Sequence, residues 1–178
     1  MNVLFTPDYA TEQQRLHQED AAYGSRGFNW AYLVAGIARI EGCSSILDYG
    51  CGKGTMGRTL RKAGLDARDY DPGIPSHAAR PEPADLVVSV DVFEHIEGGC
   101  VAAVIDHLAT LTQQCLFVAV STIPAKRWLS DGRNTHLTIR EGEWWRAQLE
   151  RPGFNVRRVW KSPVEWAALL NAPGRPVR

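Results

Sequence analysis

The sequence has no long apolar run. None of its 178 residues lies in a stretch approaching the roughly 18 consecutive apolar residues that a membrane-spanning helix needs. The amino terminus turns polar at Asp8, too early for the apolar core of a signal peptide. We therefore expect a cytoplasmic protein that makes no use of a membrane.

Cysteine is scarce, and its spacing excludes two common kinds of site. The chain has Cys43, Cys51, Cys100 and Cys115, with no C-x-x-C pair. This spacing fits neither a zinc knuckle nor a disulfide framework. We predict that Cys43, Cys100 and Cys115 are small buried residues in a reducing compartment.

Net charge is also absent, because 20 basic and 20 acidic side chains cancel. A neutral chain is a poor candidate for broad, nonspecific affinity for nucleic acid, which depends on phosphate neutralisation. The two halves differ, however. Residues 1–100 carry 9 basic and 14 acidic side chains, whereas residues 101–178 carry 11 and 6. The basic half forms either a local patch for an anionic substrate or simply an unevenly charged surface.

What the chain does have is an alternation of strand and helix patterns in one domain, residues 1–178. Short apolar strands followed by amphipathic helices predict an α/β fold with a mostly parallel sheet. We divide the chain into an N-terminal arm, a catalytic core and a loop on the substrate side: 1–27, 28–170 and 123–146. The segment 164–170 fits either a last strand or a short helix.

A glycine-rich loop is the most informative segment. The buried strand pattern at 44–50 runs into Gly50-Cys51-Gly52-Lys53-Gly54 and then directly into a helix. Glycines allow backbone to touch a ligand, and the helix that follows presents free N–H groups. The pattern is neither G-x-G-x-x-G nor a P-loop. Asp71, at the end of the next strand, is either an acceptor for two ribose hydroxyls or the start of an Asp-Pro turn.

Three segments together resemble a known family. ILDYGCGKG, DYDPG and ADLVVSVDVFEHI are similar, in order and spacing, to motifs of class I S-adenosylmethionine-dependent methyltransferases. The DVxEHI motif resembles the corresponding motif of the group that contains ubiquinone-biosynthesis-like enzymes. The resemblance covers residues 28–160 and implies a Rossmann-like sandwich with helices on both faces of the sheet. The segment 72–84 is too short and too rich in proline for a full helix and strand. The third strand of that fold is therefore expected to be short or absent.

The resemblance also implies the residues that bind S-adenosylmethionine. An acid on the first strand would orient the methionine amino group, the loop would pass beside the methionine and ribose, and a second acid would bind the ribose hydroxyls. Residues after the fourth strand of the family's fold would border the transferred methyl. In that order they are Asp48, then Gly50, Cys51 and Gly52, then Asp71, and finally Asp91 and Val92.

Three side chains are candidates for catalysis: Glu94, His95 and His136. His95 is a candidate general base because the reference pKa of histidine lies near neutrality. The structural alternative is that Glu94 and His95 hold their loop and cap the next helix, while His136 anchors a loop of its own. The sequence leaves these interpretations balanced.

The D-x-x-E-H pattern with a distant histidine also resembles a metal site. It is similar to the E-x-x-E-H…H site of small-RNA 3′-end 2′-O-methyltransferases, and E-x-x-E-H occurs in metal-dependent ubiquinone O-methyltransferases. The resemblance implies that Asp91, Glu94, His95 and His136 hold Mg²⁺ or Mn²⁺, which would acidify an acceptor hydroxyl. Because aspartate reaches less far than glutamate, the metal is a secondary hypothesis.

The loop 123–146 mixes basic residues with tryptophans, which suits an anionic planar acceptor. These residues are Lys126, Arg127, Trp128, Arg133, Trp144, Trp145 and Arg146. Alternatively, one of Trp144 and Trp145 packs in the core while the other covers the helix.

The expected function is methyl transfer from S-adenosylmethionine to an oxygen or nitrogen of a small acceptor, anionic or nucleotide-like. The chain lacks the N-P-P-[YF] and Pro-Cys motifs of DNA base methyltransferases. The alternatives are metal-assisted 2′-O-methylation of an RNA end and a non-catalytic scaffold that binds S-adenosylmethionine.

Overall fold

A six-stranded sheet forms the centre of the protein, here described from a computed structural model that covers residues 3–175. The first two residues of the predicted arm and the last three of the predicted domain lie outside this range. The strand order is β2-β1-β3-β4-β6-β5. The strands are β1 Ser45–Tyr49, β2 Asp66–Tyr70, β3 Ala84–Val90, β4 Thr112–Ser121, β5 Asn155–Lys161 and β6 Glu165–Asn171.

The first four strands are parallel, and β6 is antiparallel to both of its neighbours. The mostly parallel sheet predicted from the sequence is therefore confirmed, and the ambiguous segment 164–170 belongs to a strand. β3 and β4 are buried almost throughout, which explains their continuous apolar sequences. Alternate residues point to opposite faces, so Val87 and Val88 belong to different halves of the core.

Helices cover both faces of the sheet. The helices are α1 Pro7–Glu19, α2 Ala31–Glu41, α3 Thr55–Lys62, α4 Val101–Leu111 and α5 Gly142–Glu150. The buried residues of α2 and α3 pack on one face, and those of α4 and α5 pack on the other. This is the Rossmann-like sandwich implied by the resemblance. Among residues 3–175, no helix has the length and apolar character needed to cross a membrane.

The third strand of the family's fold is absent, as expected. Between Asp71 and Ala84, a stretch that the structure describes completely, the chain forms only a short 3₁₀ turn at Pro75–His77. Proline has no N–H group to donate to a strand ladder, so a run of prolines favours a loop here. β2 consequently becomes the edge of the sheet. All four cysteines are buried and free, which confirms the burial predicted for Cys43, Cys100 and Cys115.

The two neighbouring tryptophans of the 123–146 loop are packing residues. Trp145 is fully buried, and its ring lies 5.5 Å from that of Phe93. Trp144 packs on Trp145 with ring centroids 4.8 Å apart and carries Arg140 over its face. Of the two alternatives that the sequence left open, the structure shows the packing of one ring in the core with its neighbour beside it. Both lie in or beside α5, whose apolar face must cover the sheet.

We predict a large difference in stability between two tryptophan variants from this region. Trp145→Ala removes a ring from the interior and is expected to lower the free energy of unfolding by about 3–5 kcal/mol. Trp128→Ala is the matched control, because Trp128 is 63% exposed; its effect is expected to stay within about 0.5 kcal/mol. Urea denaturation followed by circular dichroism measures both. Equal effects of the two substitutions would contradict the packing role of Trp145.

Candidate functional site

A cavity of about 800 Å³ lies beyond the carboxyl ends of β1, β3 and β4. Ligands bind at this edge in open α/β sheets. Every site residue that was predicted from the sequence lines the cavity. Those expected to bind the cofactor are Asp48, Gly50, Cys51, Gly52, Asp71, Asp91 and Val92, and those expected to act in catalysis are Glu94, His95 and His136.

The glycine loop is held against the N-terminal arm at Gly52. This residue has a φ of +53°, and a Cβ placed on it would lie 2.4 Å from the carbonyl oxygen of Gly24. The Lys53 N–H donates to the same carbonyl over 2.9 Å. A larger residue at position 52 would therefore push the loop and the arm apart.

Asp71 closes the other side of the loop. One of its carboxylate oxygens accepts a hydrogen bond from the Gly52 N–H at 2.9 Å, and the other accepts from Gly73 N–H at 2.8 Å. Both interpretations made from the sequence describe part of this geometry. Asp71 starts the turn after β2, and it also places an acid beside the glycine loop at the cavity wall.

Asp48 is a buried acid with an unused oxygen. The side chain is 3% exposed, and its Oδ2 has no hydrogen-bond partner among residues 3–175. Burial raises the pKa of this carboxyl well above its ordinary value, with further contributions from Asp69 and Asp71. A cationic ligand group in the cavity would relieve both effects.

Glu94 is a second buried acid on the opposite side of the cavity. Its Oε1 accepts a hydrogen bond from the Ser121 N–H at 2.9 Å, whereas Oε2 has no partner in the described part of the chain. Burial, with a smaller contribution from Asp91, raises the pKa of Glu94 to about 8. The side chain is 1% exposed. Removed from water, this carboxyl is stable near neutral pH only if it is protonated or paired.

His95 and His136 lie together beside Glu94. Their ring centroids are 4.9 Å apart and their planes are nearly perpendicular. The Nδ1 of His95 lies 2.8 Å from the Thr135 carbonyl oxygen, and that of His136 lies 2.7 Å from the Ile123 carbonyl oxygen. A carbonyl oxygen can only accept, so Nδ1 carries the proton in both rings and Nε2 carries the lone pair in the neutral form.

Burial, and next the neighbouring His136, lowers the pKa of His95 to about 4. His95 is a candidate general base only if its pKa lies near neutrality, and that expectation is therefore wrong. A ring with so low a pKa stays neutral at pH 7 and accepts a proton only weakly. Its lone pair remains available to a ligand.

Asp91 stands apart from this group. Its φ is +54°, a strained conformation for a residue with a side chain, of the kind that often marks functional sites. Burial raises the pKa of its carboxyl, opposed by the charges of Arg26 and His136. Ligand atoms of Glu94, His95 and His136 lie within 4.8 Å of one another, but Asp91 is not part of this set. The expectation of four converging ligands is therefore wrong for Asp91, whose carboxylate does not lie within this distance of all the other three.

One wall of the cavity comes from α1, to which the sequence analysis assigned no role. Tyr9, Gln13 and His17 line the cavity at intervals of four residues, so they share one face of the helix. Gln13 Nε2 and His17 Nδ1 are buried without hydrogen-bond partners in residues 3–175. The four-residue spacing of these polar and aromatic residues can be read from the sequence, so it could have indicated that this face of α1 lines a site.

Among the lysines and arginines of the loop 123–146, all of which the structure describes, those in the cavity lining stand near its beginning. Lys126 and Arg127 line the cavity. Arg127 pairs with Asp20 of the arm and lies 5.5 Å from the centre of the Tyr23 ring. The remaining arginines of the loop are engaged elsewhere: Arg133 pairs with Asp131, and Arg146 pairs with Glu150.

The family follows from a comparison of the whole sequence with known domains. Residues 21–159 match the model of a methyltransferase domain. The chain belongs to this methyltransferase family. The identification as a class I S-adenosylmethionine-dependent methyltransferase is thereby confirmed, whereas the ubiquinone-biosynthesis-like subgroup stays a prediction. No curated protein matches the sequence.

Solved methyltransferase structures share the fold at low sequence identity. A 1,6-didemethyltoxoflavin N1-methyltransferase from Burkholderia thailandensis is 11% identical over 93% of this chain and 89% of that chain, with a TM-score of 0.68. A magnesium protoporphyrin IX methyltransferase from Synechocystis is 18% identical over 87% and 83%, with a TM-score of 0.60. DhpI is 15% identical over 94% and 98%, with a TM-score of 0.64.

The raised pKa of Glu94 predicts how the stability of the methyltransferase changes with pH. The folded-state pKa of about 8 exceeds the ordinary value of 4.5, so the unfolded state releases this proton first as the pH rises. The free energy of unfolding should then fall between about pH 4.5 and pH 8, by at most about 1.4 kcal/mol per pH unit from this group. Urea denaturation of metal-free protein with a chelator measures this slope. Glu94→Gln should flatten it, and an unchanged slope would contradict the assignment.

Proposed function

We propose that this methyltransferase moves a methyl group from S-adenosylmethionine to an oxygen or nitrogen atom of a small molecule held in the cavity. The observation that carries the proposal is the pair of acids, Asp48 and Asp71, that flank the glycine loop at the carboxyl edge of the sheet. Asp48 lines the cavity, and its Oδ2 has no partner among residues 3–175, so it can receive an ammonium group whose positive charge would favour the ionised carboxylate. The Asp71 carboxylate is suited to hydroxyl donors.

These residues fit the cofactor. Asp48 would hold its methionine end, Gly50, Cys51 and Gly52 would let backbone pass beside it, and Asp71 would exchange its bond to Gly52 N–H for the ribose hydroxyls. When bound, S-adenosylmethionine supplies a methyl group on a positively charged sulfur, which an acceptor displaces in line. Asp91 and Val92 would border that end of the cofactor. The protein contributes position and exclusion of water.

The acceptor would lie between that edge and the arm, with its nucleophilic atom facing Glu94, His95 and His136. A cavity of about 800 Å³ is at the upper end of the roughly 300–1,000 Å³ usual for small-molecule sites, which leaves room for a cofactor and a compact acceptor. The toxoflavin enzyme was solved with 1,6-didemethyltoxoflavin and S-adenosylhomocysteine bound, and the Synechocystis enzyme with S-adenosylmethionine. Their acceptors support a small molecule here.

The charge at the cavity supports an anionic acceptor. Lys126 and Arg127 lie on the wall that the acceptor would face, and Arg127 is already partly neutralised by Asp20. No acid in residues 3–175 pairs with Lys126, so this residue supplies the unpaired positive charge of the two within the described part of the chain. The arginines farther along the loop pair with their own neighbours, which disfavours an extended track for an RNA strand.

We predict that Asp71→Ala weakens the binding of S-adenosylmethionine by about 10- to 100-fold. The substitution removes a charged acceptor of two hydrogen bonds, but Asp71 gives up its bond from the Gly52 N–H on binding, so the net loss is that of about one such bond, about 1.5–3 kcal/mol. Isothermal titration calorimetry measures the dissociation constant. Asp66→Ala is the matched control, because Asp66 begins the same strand and is exposed. Equal affinities of all three proteins would refute the role of Asp71, and failure of the wild type to bind would refute the proposed function.

Turnover separates the enzyme from the non-catalytic scaffold. The wild type is incubated with S-adenosylmethionine and the small-molecule fraction of a cell extract, and S-adenosylhomocysteine is quantified. We expect the product to accumulate with the wild type and not with Asp71→Ala. Binding of the cofactor without any product above the Asp71→Ala background would favour the scaffold.

A further inference from the structure

The face of α1 that lines the cavity carries two buried polar atoms whose partners the protein does not supply. Gln13 Nε2 and His17 Nδ1 have no hydrogen-bond partner among residues 3–175. They belong to residues one helical turn apart, and both side chains line the cavity. A buried nitrogen without a partner lowers the stability of the ligand-free fold. These atoms therefore indicate that a ligand completes the hydrogen bonds of α1.

The amide of Gln13 is held in one orientation by Tyr23. The Tyr23 hydroxyl donates to Gln13 Oε1 over 2.9 Å. Burial raises the pKa of Tyr23 to about 12, so this hydroxyl keeps its proton at neutral pH. Because Oε1 already accepts this bond, the NH₂ group of the amide is the part left without a partner. Gln13 therefore offers hydrogen-bond donors at the cavity wall.

Gln13 lies against the turn that follows β2. A Cβ placed on Gly73 would lie 3.5 Å from the Gln13 Cβ and 3.2 Å from Asp71 Oδ1. The same turn carries the Asp71 carboxylate, which accepts from the Gly52 N–H. Gln13 is therefore a neighbour of the acid proposed to bind the ribose hydroxyls.

His17 places the next turn of α1 beside the glycine loop. A Cβ placed on Gly24 would lie 2.5 Å from His17 Cε1 and 3.2 Å from the Gly52 Cα, so the ring and the loop approach Gly24 together. The two unpartnered nitrogens of α1 thus belong to side chains on the side of the cavity proposed for the cofactor.

The donors of Gln13 and the carboxylate of Asp71 are chemically complementary for a sugar. A hydroxyl group donates one hydrogen bond and accepts others through its lone pairs. An ionised carboxylate can only accept, so a hydroxyl bound to Asp71 keeps its own lone pairs unused. An amide NH₂ group beside the carboxylate supplies the donor that such an oxygen requires.

Resting on the proposed function, we propose that Gln13 Nε2 donates a hydrogen bond to a ribose hydroxyl oxygen of S-adenosylmethionine. Asp71 accepts the hydroxyl protons of the same ribose, and Tyr23 is a positioning residue that holds the amide in place. The N-terminal arm thereby completes the cofactor site through its own side chain. Cofactor affinity then depends on a residue that lies outside the glycine loop and the strand ends.

Isothermal titration calorimetry measures the role of Gln13, with S-adenosylhomocysteine as the probe because it carries the same ribose. Gln13→Met keeps the length of the side chain and removes the donor. We expect it to weaken binding about 3- to 10-fold, which corresponds to the loss of one hydrogen bond between uncharged groups. Gln14→Met is the matched control, because Gln14 is the next residue of α1, is exposed and is outside the cavity lining. It should bind as the wild type does.

Analogues that lack one ribose hydroxyl separate a direct contact from a change in the packing of α1. The 2′-deoxy and 3′-deoxy forms of S-adenosylhomocysteine are titrated into the wild type and Gln13→Met. With the analogue that lacks the hydroxyl to which Gln13 donates, the two proteins should bind equally well. With the other analogue the 3- to 10-fold difference should persist. A distortion of α1 would instead lower the affinity for all three ligands by the same factor.

Circular dichroism verifies that the variants are folded. If Gln13→Met does not fold, Gln13→Asn replaces it in the same titrations, because it withdraws the amide by one methylene and keeps its polarity. Wild-type affinity in the Gln13 variant, or an equal loss toward all three ligands, would overturn the role of Gln13 and leave the proposed function intact. Failure of the wild type to bind S-adenosylhomocysteine would refute the proposed function itself.

Discussion

The in-register parallel pairing of β1, β3 and β4 is the constraint on which the whole site depends. Asp48 lies opposite Val88, and Val88 lies opposite Phe117, so the three strands reach the same edge together. Because these strands are buried on both faces, a slip of one residue would exchange side chains between the two packed cores and disrupt the packing of both. The loops that follow the strands therefore meet at a position that the core determines. The glycine loop, the Asp91–His95 segment and the loop carrying His136 all begin there.

The site at this edge holds acids in surroundings that do not suit them. Asp48 and Glu94 are almost completely removed from water, and each keeps one oxygen without a partner in the described residues. Buried carboxyls without a partner lower the stability of the folded chain when no ligand is bound. A ligand that pairs with these carboxyls would remove this cost. In the proposed function, Asp48 lies on the cofactor side of the cavity and Glu94 on the acceptor side. Each carboxyl could therefore pair with a positively charged group or a proton donor of a ligand.

The N-terminal arm turns an open edge into a cavity. The Thr6 N–H and hydroxyl donate to the Glu97 carboxylate, and the Ser130 N–H and hydroxyl donate to that of Glu12. Arg127 adds an ion pair to Asp20. These contacts join α1 to both loops that carry the Glu94–His95–His136 group. The cavity is thus enclosed by segments that lie far apart in the sequence, and the wall formed by α1 exists only while the arm is docked.

Local sequence determined the order of strands and helices, the glycine loop, the missing third strand and the acids at the strand ends. These features follow from hydrophobic periodicity, from the conformational freedom of glycine and from the missing N–H of proline, all of which act within a few residues. The sequence therefore located the glycine loop and the acids that line the cavity on the side proposed for the cofactor. It left the last strand ambiguous, because a short apolar run fits either a buried strand or a helix.

Tertiary structure alone decided the acceptor side. It placed His136 beside His95 and left Asp91 outside their group. It buried the side chain of Trp145, a residue of α5, in the core. It also placed Arg127, but not Arg146, in the wall of the cavity. It also moved the pKa of His95 far from its reference value through burial. Each of these outcomes depends on which surfaces pack together across long sequence separations, and such packing leaves no periodic signal along the chain.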